Sequence, residues 1–191
     1  MNAKMNLPNS LKNRPFTSAE ARVYGISQYY LNLMLSDGYL EKLGRGVYRT
    51  NMGDISNEEM FTMATIWLGY PSAVCLLSAL SYFNLTDEIP KKVWMMVDHT
   101  KISHRYELRL VRLRNPNWDI GIKKTKQFWI SDVARTIIDI FMHPQIVSTT
   151  IAVQSLKQAI KEKQTSVREI YDMSFALRMN KHILPYLEML S

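Results

Sequence analysis

The sequence predicts an α+β fold in two parts, and three observations predict it. Phe16–Thr50 (FTSAEARVYGISQYYLNLMLSDGYLEKLGRGVYRT) reads as a helix, a glycine turn, a second helix and a hairpin. The polar, glycine-containing stretch NMGDISN (51–57) then breaks the chain. Beyond it, strand-like segments are confined to the middle and flanked by helical ones, the pattern of an α+β domain with a small mixed sheet. The expected domains are 1–52 and 53–191.

Each element of the first part has a local cause. Thr17 or Ser18 is a good N-cap, and Ala19, Glu20 and Ala21 suit a short helix. Gly25 sits where a tight turn requires positive φ. Ser27 is placed to cap a second helix, whose buried stripe is Leu31, Met34 and Leu35, joined by Ile26. Gly38 closes that helix. Tyr39 and Leu40 open a strand, Val47 and Tyr48 return, and EKLGRG lies between them, with Gly44 and Gly46 bracketing Arg45. Pro8 and Pro15 limit any helix further upstream. This order makes a winged helix-turn-helix, which can set one helix in the major groove of DNA and a wing beside it.

The outward face of the second helix offers Gln28, Tyr29 and Asn32, with Tyr30 and Ser36 at its margin. Gln and Asn can each form a paired hydrogen bond to an adenine edge, and Tyr or Ser hydroxyls reach phosphates or bases. The expected DNA-binding residues are therefore Ser27, Gln28, Tyr29, Tyr30 and Asn32 on the helix, and Lys42, Arg45 and Arg49 from the wing. The glycine-bracketed tip suits phosphate or minor-groove contact. The helix itself lacks arginine and lysine, so affinity would lean on the wing and other basic segments. The same polar face also fits a module that binds protein or serves only structure.

A net charge of +7 and a pI near 9.5 favour a polyanionic partner. A second basic cluster runs from Lys101 to Lys126 and includes Arg105, Arg109, Arg112 and Arg114. Alternation over Arg105–Arg114 predicts a strand, with a bulge near Leu110–Val111 where the phase slips. Those four arginines read either as a second DNA-contact surface or as a solvated sheet face.

In the second part, Ser56 and Glu59 have capping-box spacing ahead of a helix with an apolar stripe at Met60, Met63, Ala64, Ile66 and Trp67, ended by Gly69 and Pro71. Further helices are expected over Leu77–Phe83 and Asp132–Met142, the latter capped by Asp132 and carrying an Arg135–Asp139 pair one turn apart. Two or three helices finish the chain, one capped by Thr165 or Ser166 with Glu169 close behind. Val93–Val97 reads as a buried strand and Lys124–Ile130 as another.

Little supports catalysis. The single cysteine, Cys75, excludes an intrachain disulfide and a cysteine zinc cluster, and its apolar surroundings predict a buried, inert thiol. His99, His104, His143 and His182 are scattered, and phosphate-binding glycine loops and paired magnesium-binding acids are missing. Asp87, Asp98, Lys101 and Glu107 are the candidates for a metal-dependent nuclease, in a spacing that matches no nuclease signature. No catalytic residue, metal or cofactor is expected. Residues 1–14 are too polar for a signal peptide, and no apolar run spans a bilayer, which fits a cytoplasmic location.

Three segments taken together carry a resemblance: Gly25 through GRGVYR, then LLSALSYFNLTDEIPKKVWMMV, then ISDVARTIIDI. In this order and spacing the chain resembles the AbiEi family of type IV toxin–antitoxin antitoxins. The resemblance implies an N-terminal winged helix-turn-helix and a C-terminal antitoxin domain. It also implies repression of its own operon through inverted repeats in the promoter, often cooperatively, by a monomer or weak dimer. The implied counterpart is a nucleotidyltransferase-like toxin, with which no stable complex is needed. One departure is the short, proline-flanked stretch before Phe16, where members of the family have a full helix.

Overall fold

The computed structural model describes residues 7–51, 53–113 and 117–189. The chain divides into two compact units, Met1–Trp67 and Leu68–Ser191.

The first unit begins with a one-turn helix α1 (Asn9–Lys12) that buries Leu11, with Leu7 buried just ahead of it. A two-residue strand β1 (Phe16–Thr17) leads into helix α2 (Ser18–Val23). Thr17 caps α2 in a complete capping box: its hydroxyl accepts from Glu20 N–H at 3.1 Å, and the Glu20 carboxylate accepts from Thr17 N–H at 2.8 Å. Burial pushes the Glu20 carboxyl up, but hydrogen bonds from Arg14 and Thr17 outweigh it and hold the group below its ordinary range. Gly25, at φ +75°, makes the turn into helix α3 (Gln28–Ser36). Strands β2 (Leu40–Gly44) and β3 (Val47–Thr50) form the hairpin, with a register shift between Lys42 and Gly44. β1 pairs with the other side of β3, so the sheet has three strands in the order β1-β3-β2. Leu7, Leu11, Phe16, Ala21, Ile26, Leu31, Met34, Leu40 and Tyr48 form one core, against which Leu35 packs. Leu7 and the single turn of α1 thus place two leucines in this core, in the stretch where family members have a full helix.

Helix α4 (Asn57–Leu68) starts with the predicted box: Glu59 accepts from Ser56 N–H and hydroxyl, and Ser56 accepts from Glu59 N–H.

The second unit holds β4 (Ser72–Val74), α5 (Leu76–Tyr82), β5 (Val93–Asp98), β6 (Leu108–Leu113), β7 (Ile122–Lys124), β8 (Trp129–Ser131), α6 (Val133–Met142), α7 (Thr149–Lys161), α8 (Val167–Ala176) and α9 (Asn180–Glu188). The strands form one mixed sheet in the order β6-β5-β4-β8-β7, with β5/β6 and β4/β8 parallel. α6 is buried almost throughout and is surrounded by α5, α7, α8 and α9.

A buried ion pair organises this unit. Arg135 Nε donates to both carboxylate oxygens of Asp139, at 3.0 and 2.9 Å. Its Nη1 donates to the carbonyls of Trp118 and Ile120, at 3.1 and 2.6 Å. The loop approaches so closely that a Cβ on Gly121 would lie 2.6 Å from Arg135 Cβ. Burial pushes the Asp139 carboxyl up to about 6 even though Arg135 opposes it.

Two strand expectations are corrected. β6 begins at Leu108, not Arg105, and pairs with β5 in unbroken register from Val93–Leu108 to Asp98–Leu113, so it has no bulge. The apparent slip arises because Leu108 and Val111, on opposite faces, are both buried, as are Val93, Met95 and Val97 beside Trp94 and Met96. Lys124–Ile130 is not one strand but a turn joining β7 to β8, closed by Thr125, whose hydroxyl accepts from Gln127 and Phe128 N–H. Cys75 is fully buried, and burial pushes its thiol well above the ordinary range.

Candidate nucleic-acid interface

α3 turns its apolar side into the core and its polar side outward. Leu31 and Met34 are buried, while Ser27, Gln28, Tyr29, Tyr30, Asn32, Leu33 and Ser36 are exposed. Tyr29 is 72% exposed, and its ring meets Tyr30 edge-on at 5.5 Å. Ser27 occupies the N-cap with extended backbone, but its hydroxyl makes no capping bond; the expectation that it caps by side chain is corrected. The first amides of α3 therefore lack a side-chain acceptor.

Gln28 and Asn32, one turn apart, are joined. Gln28 Nε2 donates to Asn32 Oδ1 at 3.0 Å and to the Tyr48 hydroxyl, also at 3.0 Å. Tyr48 stands on β3 with 2% exposure, its ring 6.1 Å from Phe16 in the core. Strand β3 thus reaches α3 through the Tyr48 phenol. Sequence reasoning missed Tyr48 as part of this site. Its period on β3 signals burial, and nothing local reveals that its hydroxyl faces Gln28.

The wing residues divide. Lys42 on β2 and Arg45 at the tip are exposed. Arg49 is not: it is 4% exposed, and its guanidinium is held by Glu41, by Glu59 at 3.3 Å and by the carbonyl of Gly53. Burial pushes Arg49 down and Glu59 up, but their hydrogen bonds outweigh it, so Arg49 is shifted up and Glu59 down. Arg49, expected among the DNA contacts, is thus buried in the hairpin with its guanidinium taken by acids and a carbonyl.

Of the second basic cluster, Arg109 and Arg112 do not share a face: in an unbroken strand they project to opposite sides. Arg109 lies over the Trp94 ring at 4.5 Å, and Arg105 precedes the strand. Arg114 lies outside the described residues. Two of the four nuclease candidates, Asp98 and Lys101, are engaged in hydrogen bonds within the fold. Asp98 accepts from the N–H and hydroxyl of Thr100, at 2.9 and 2.6 Å, and these bonds hold its carboxyl below the ordinary range. Lys101 Nζ donates to the Leu68 carbonyl at 2.8 Å. Among the described residues, no group of three His, Cys, Asp or Glu side chains is placed to hold a metal ion.

The segment that builds α1 through the wing can be set against known families. Residues 9–51 match the family model described as "Transcriptional regulator, AbiEi antitoxin". The AbiEi match starts at the first residue of α1 and ends one residue past β3, so it coincides with the three-stranded, three-helix module. The likeness is to a family of transcriptional regulators and antitoxins. No curated protein matches the chain. Among the described residues, no helix is long and apolar enough to cross a membrane.

Proposed function

We propose that the first unit reads duplex DNA through α3 and its wing. In this reading the chain represses its own operon by binding inverted repeats in the promoter. It is also the antitoxin of a type IV pair, counteracting a nucleotidyltransferase-like toxin, and works in the cytoplasm without catalysis, as a monomer or weak dimer cooperating on DNA.

The observation that carries this reading is the exposed carboxamide of Asn32, flanked by Tyr29 and fixed beside a wing with free-standing Lys42 and Arg45. Such a surface offers base-edge hydrogen bonds from a helix and phosphate contacts from a loop. The uncapped amides at the start of α3 add a place for a phosphate oxygen. The AbiEi likeness of the same residues supports the assignment. The four arginines near β6 are left out of this interface.

A gel-shift of the full chain on the DNA upstream of its own gene, across a salt series, tests it. The expected result is specific binding that weakens steeply with salt. A flat salt response on both upstream and random DNA would overturn it. A neighbouring reading frame for a nucleotidyltransferase-like protein is expected as well. One observation favours a second reading: α3 exposes Tyr29 and Leu33 and carries no cation, as a protein-binding helix would. The flat salt response is that reading's signature.

A further inference from the structure

We infer that Asn32 alone is the adenine-reading amide of α3, and that Gln28 and Tyr48 are positioning residues that hold it in register. The inference rests on the proposed DNA-reading role and adds how the helix discriminates.

The argument is a count of hydrogen-bonding capacity. A glutamine reads adenine by donating from Nε2 to N7 while accepting at Oε1 from the N6 amino group. Gln28 Nε2 has two protons. One goes to Asn32 Oδ1 and the other to the Tyr48 hydroxyl, both at 3.0 Å. Gln28 therefore has no donor left for N7 unless it gives up a bond it already makes. Asn32 is in the opposite position. Its Oδ1 accepts one bond from Gln28 and keeps a second lone pair, and among the described residues its Nδ2 keeps both protons. It can still accept from N6 and donate to N7 at once.

The order of rigidity points the same way. Tyr48 is buried, belongs to the module core and sits on β3, which is paired on both sides. Its hydroxyl is a fixed point. Gln28 transmits that point to Asn32, whose oxygen is turned toward Gln28. This decides which end of the amide lies where, a choice a free asparagine would make only on binding. A side chain fixed before it meets DNA loses less freedom on contact. Tyr48 is thus a specificity device on the wing strand, without itself touching the duplex.

The test uses the full chain and duplexes selected from a randomised pool by the wild type. In the selected sequence each adenine is replaced singly by 7-deazaadenine, which lacks the N7 acceptor. The wild type is expected to respond at one adenine per bound module, losing about fivefold to a hundredfold in affinity. Asn32→Ala should be insensitive at that position. Tyr48→Phe keeps the ring and removes only the hydroxyl. It should lose about threefold to tenfold on the selected duplex and nothing on random duplex. Gln28→Met should lose the same amount, and the double variant no more than either single one, because all three changes break one chain of bonds.

If Gln28→Met instead abolishes the response at a second adenine, Gln28 reads a base itself and the inference fails. If Tyr48→Phe and Gln28→Met bind and discriminate like the wild type, the inference fails while the DNA-reading role stands. If the wild type selects no sequence, both fall together. Melting of Tyr48→Phe near the wild-type temperature separates a positioning loss from a folding one.

Discussion

The outer face of α3 and the strand β6 look alike as text, since each interleaves polar or charged residues with apolar ones, yet they make different surfaces. On α3 the period of the helix gathers Gln28, Tyr29, Asn32 and Ser36 on the outward side, beside the exposed Lys42 and Arg45 of the wing. On β6 the period of two sends Arg109 and Arg112 to opposite faces, and one of them spends its charge on the Trp94 ring. The comparison teaches that polar and basic residues make one continuous face only when the backbone aims them together. A count of positive charges does not distinguish the two regions. The period, and the partners already taken, do.

The contrast extends to Arg135 and Arg49, which are held inside the fold, and the sharpest way to test it is to break what holds them. Asp139→Asn takes away one of the two oxygens that accept from the buried Arg135 Nε and sets an N–H donor against the guanidinium, which should destabilise the second unit by about 3–5 kcal/mol in a denaturant titration. Its pH dependence has a definite sign. The Asp139 carboxyl sits at about 6 in the folded chain, above its ordinary value. The native state therefore holds this proton more tightly than the unfolded one. That contribution to stability is full below about pH 4 and is lost as pH rises through about 6. The advantage of wild type over Asp139→Asn should shrink across that window. An advantage that grew there would contradict the assigned environment.

Arg49→Met comes next. It leaves Glu41 and Glu59 facing an apolar side chain and should cost about 2–3 kcal/mol in the melting of the first unit. DNA binding should recover when the temperature is lowered enough to refold the module. Loss of binding with unchanged melting would return Arg49 to the interface. Asn32→Ala should leave melting unchanged and reduce specific binding by about 1–3 kcal/mol, with random-DNA affinity intact. The smallest effects belong to a matched pair. Arg45→Ala should weaken binding to all duplexes alike and lower the salt slope by about 1, without loss of stability. Arg109→Ala should leave the salt slope alone and cost at most about 1 kcal/mol of stability through the lost contact with Trp94. Should Arg109→Ala flatten the slope as Arg45→Ala does, the comparison breaks.

Local chemistry made much of this legible. The helix cap expected at Thr17 or Ser18, the Ser56–Glu59 box, the positive-φ turn at Gly25 and the Arg135–Asp139 spacing each act within a few residues, and each appears where the sequence placed it, the cap falling on Thr17. What the sequence hid depends on partners far along the chain. β1 and β4 span two and three residues, too few for a period to register, and exist because a neighbouring strand pairs with them. Arg49 looks like any wing arginine until Glu59, ten residues on, folds back to meet it. Gln28 looks like a free amide until Tyr48, twenty residues on, claims its proton.

Glu59 is a knot between two pieces of chain. Its carboxylate fastens the opening of α4 and at the same time grips the guanidinium on the last wing strand. A protein shortened to end near residue 52 would therefore lose not a neighbour but half of the clasp on its own hairpin, together with the Gly53 carbonyl that shares it. Whoever trims this chain to obtain the first unit by itself should leave the first turns of α4 attached.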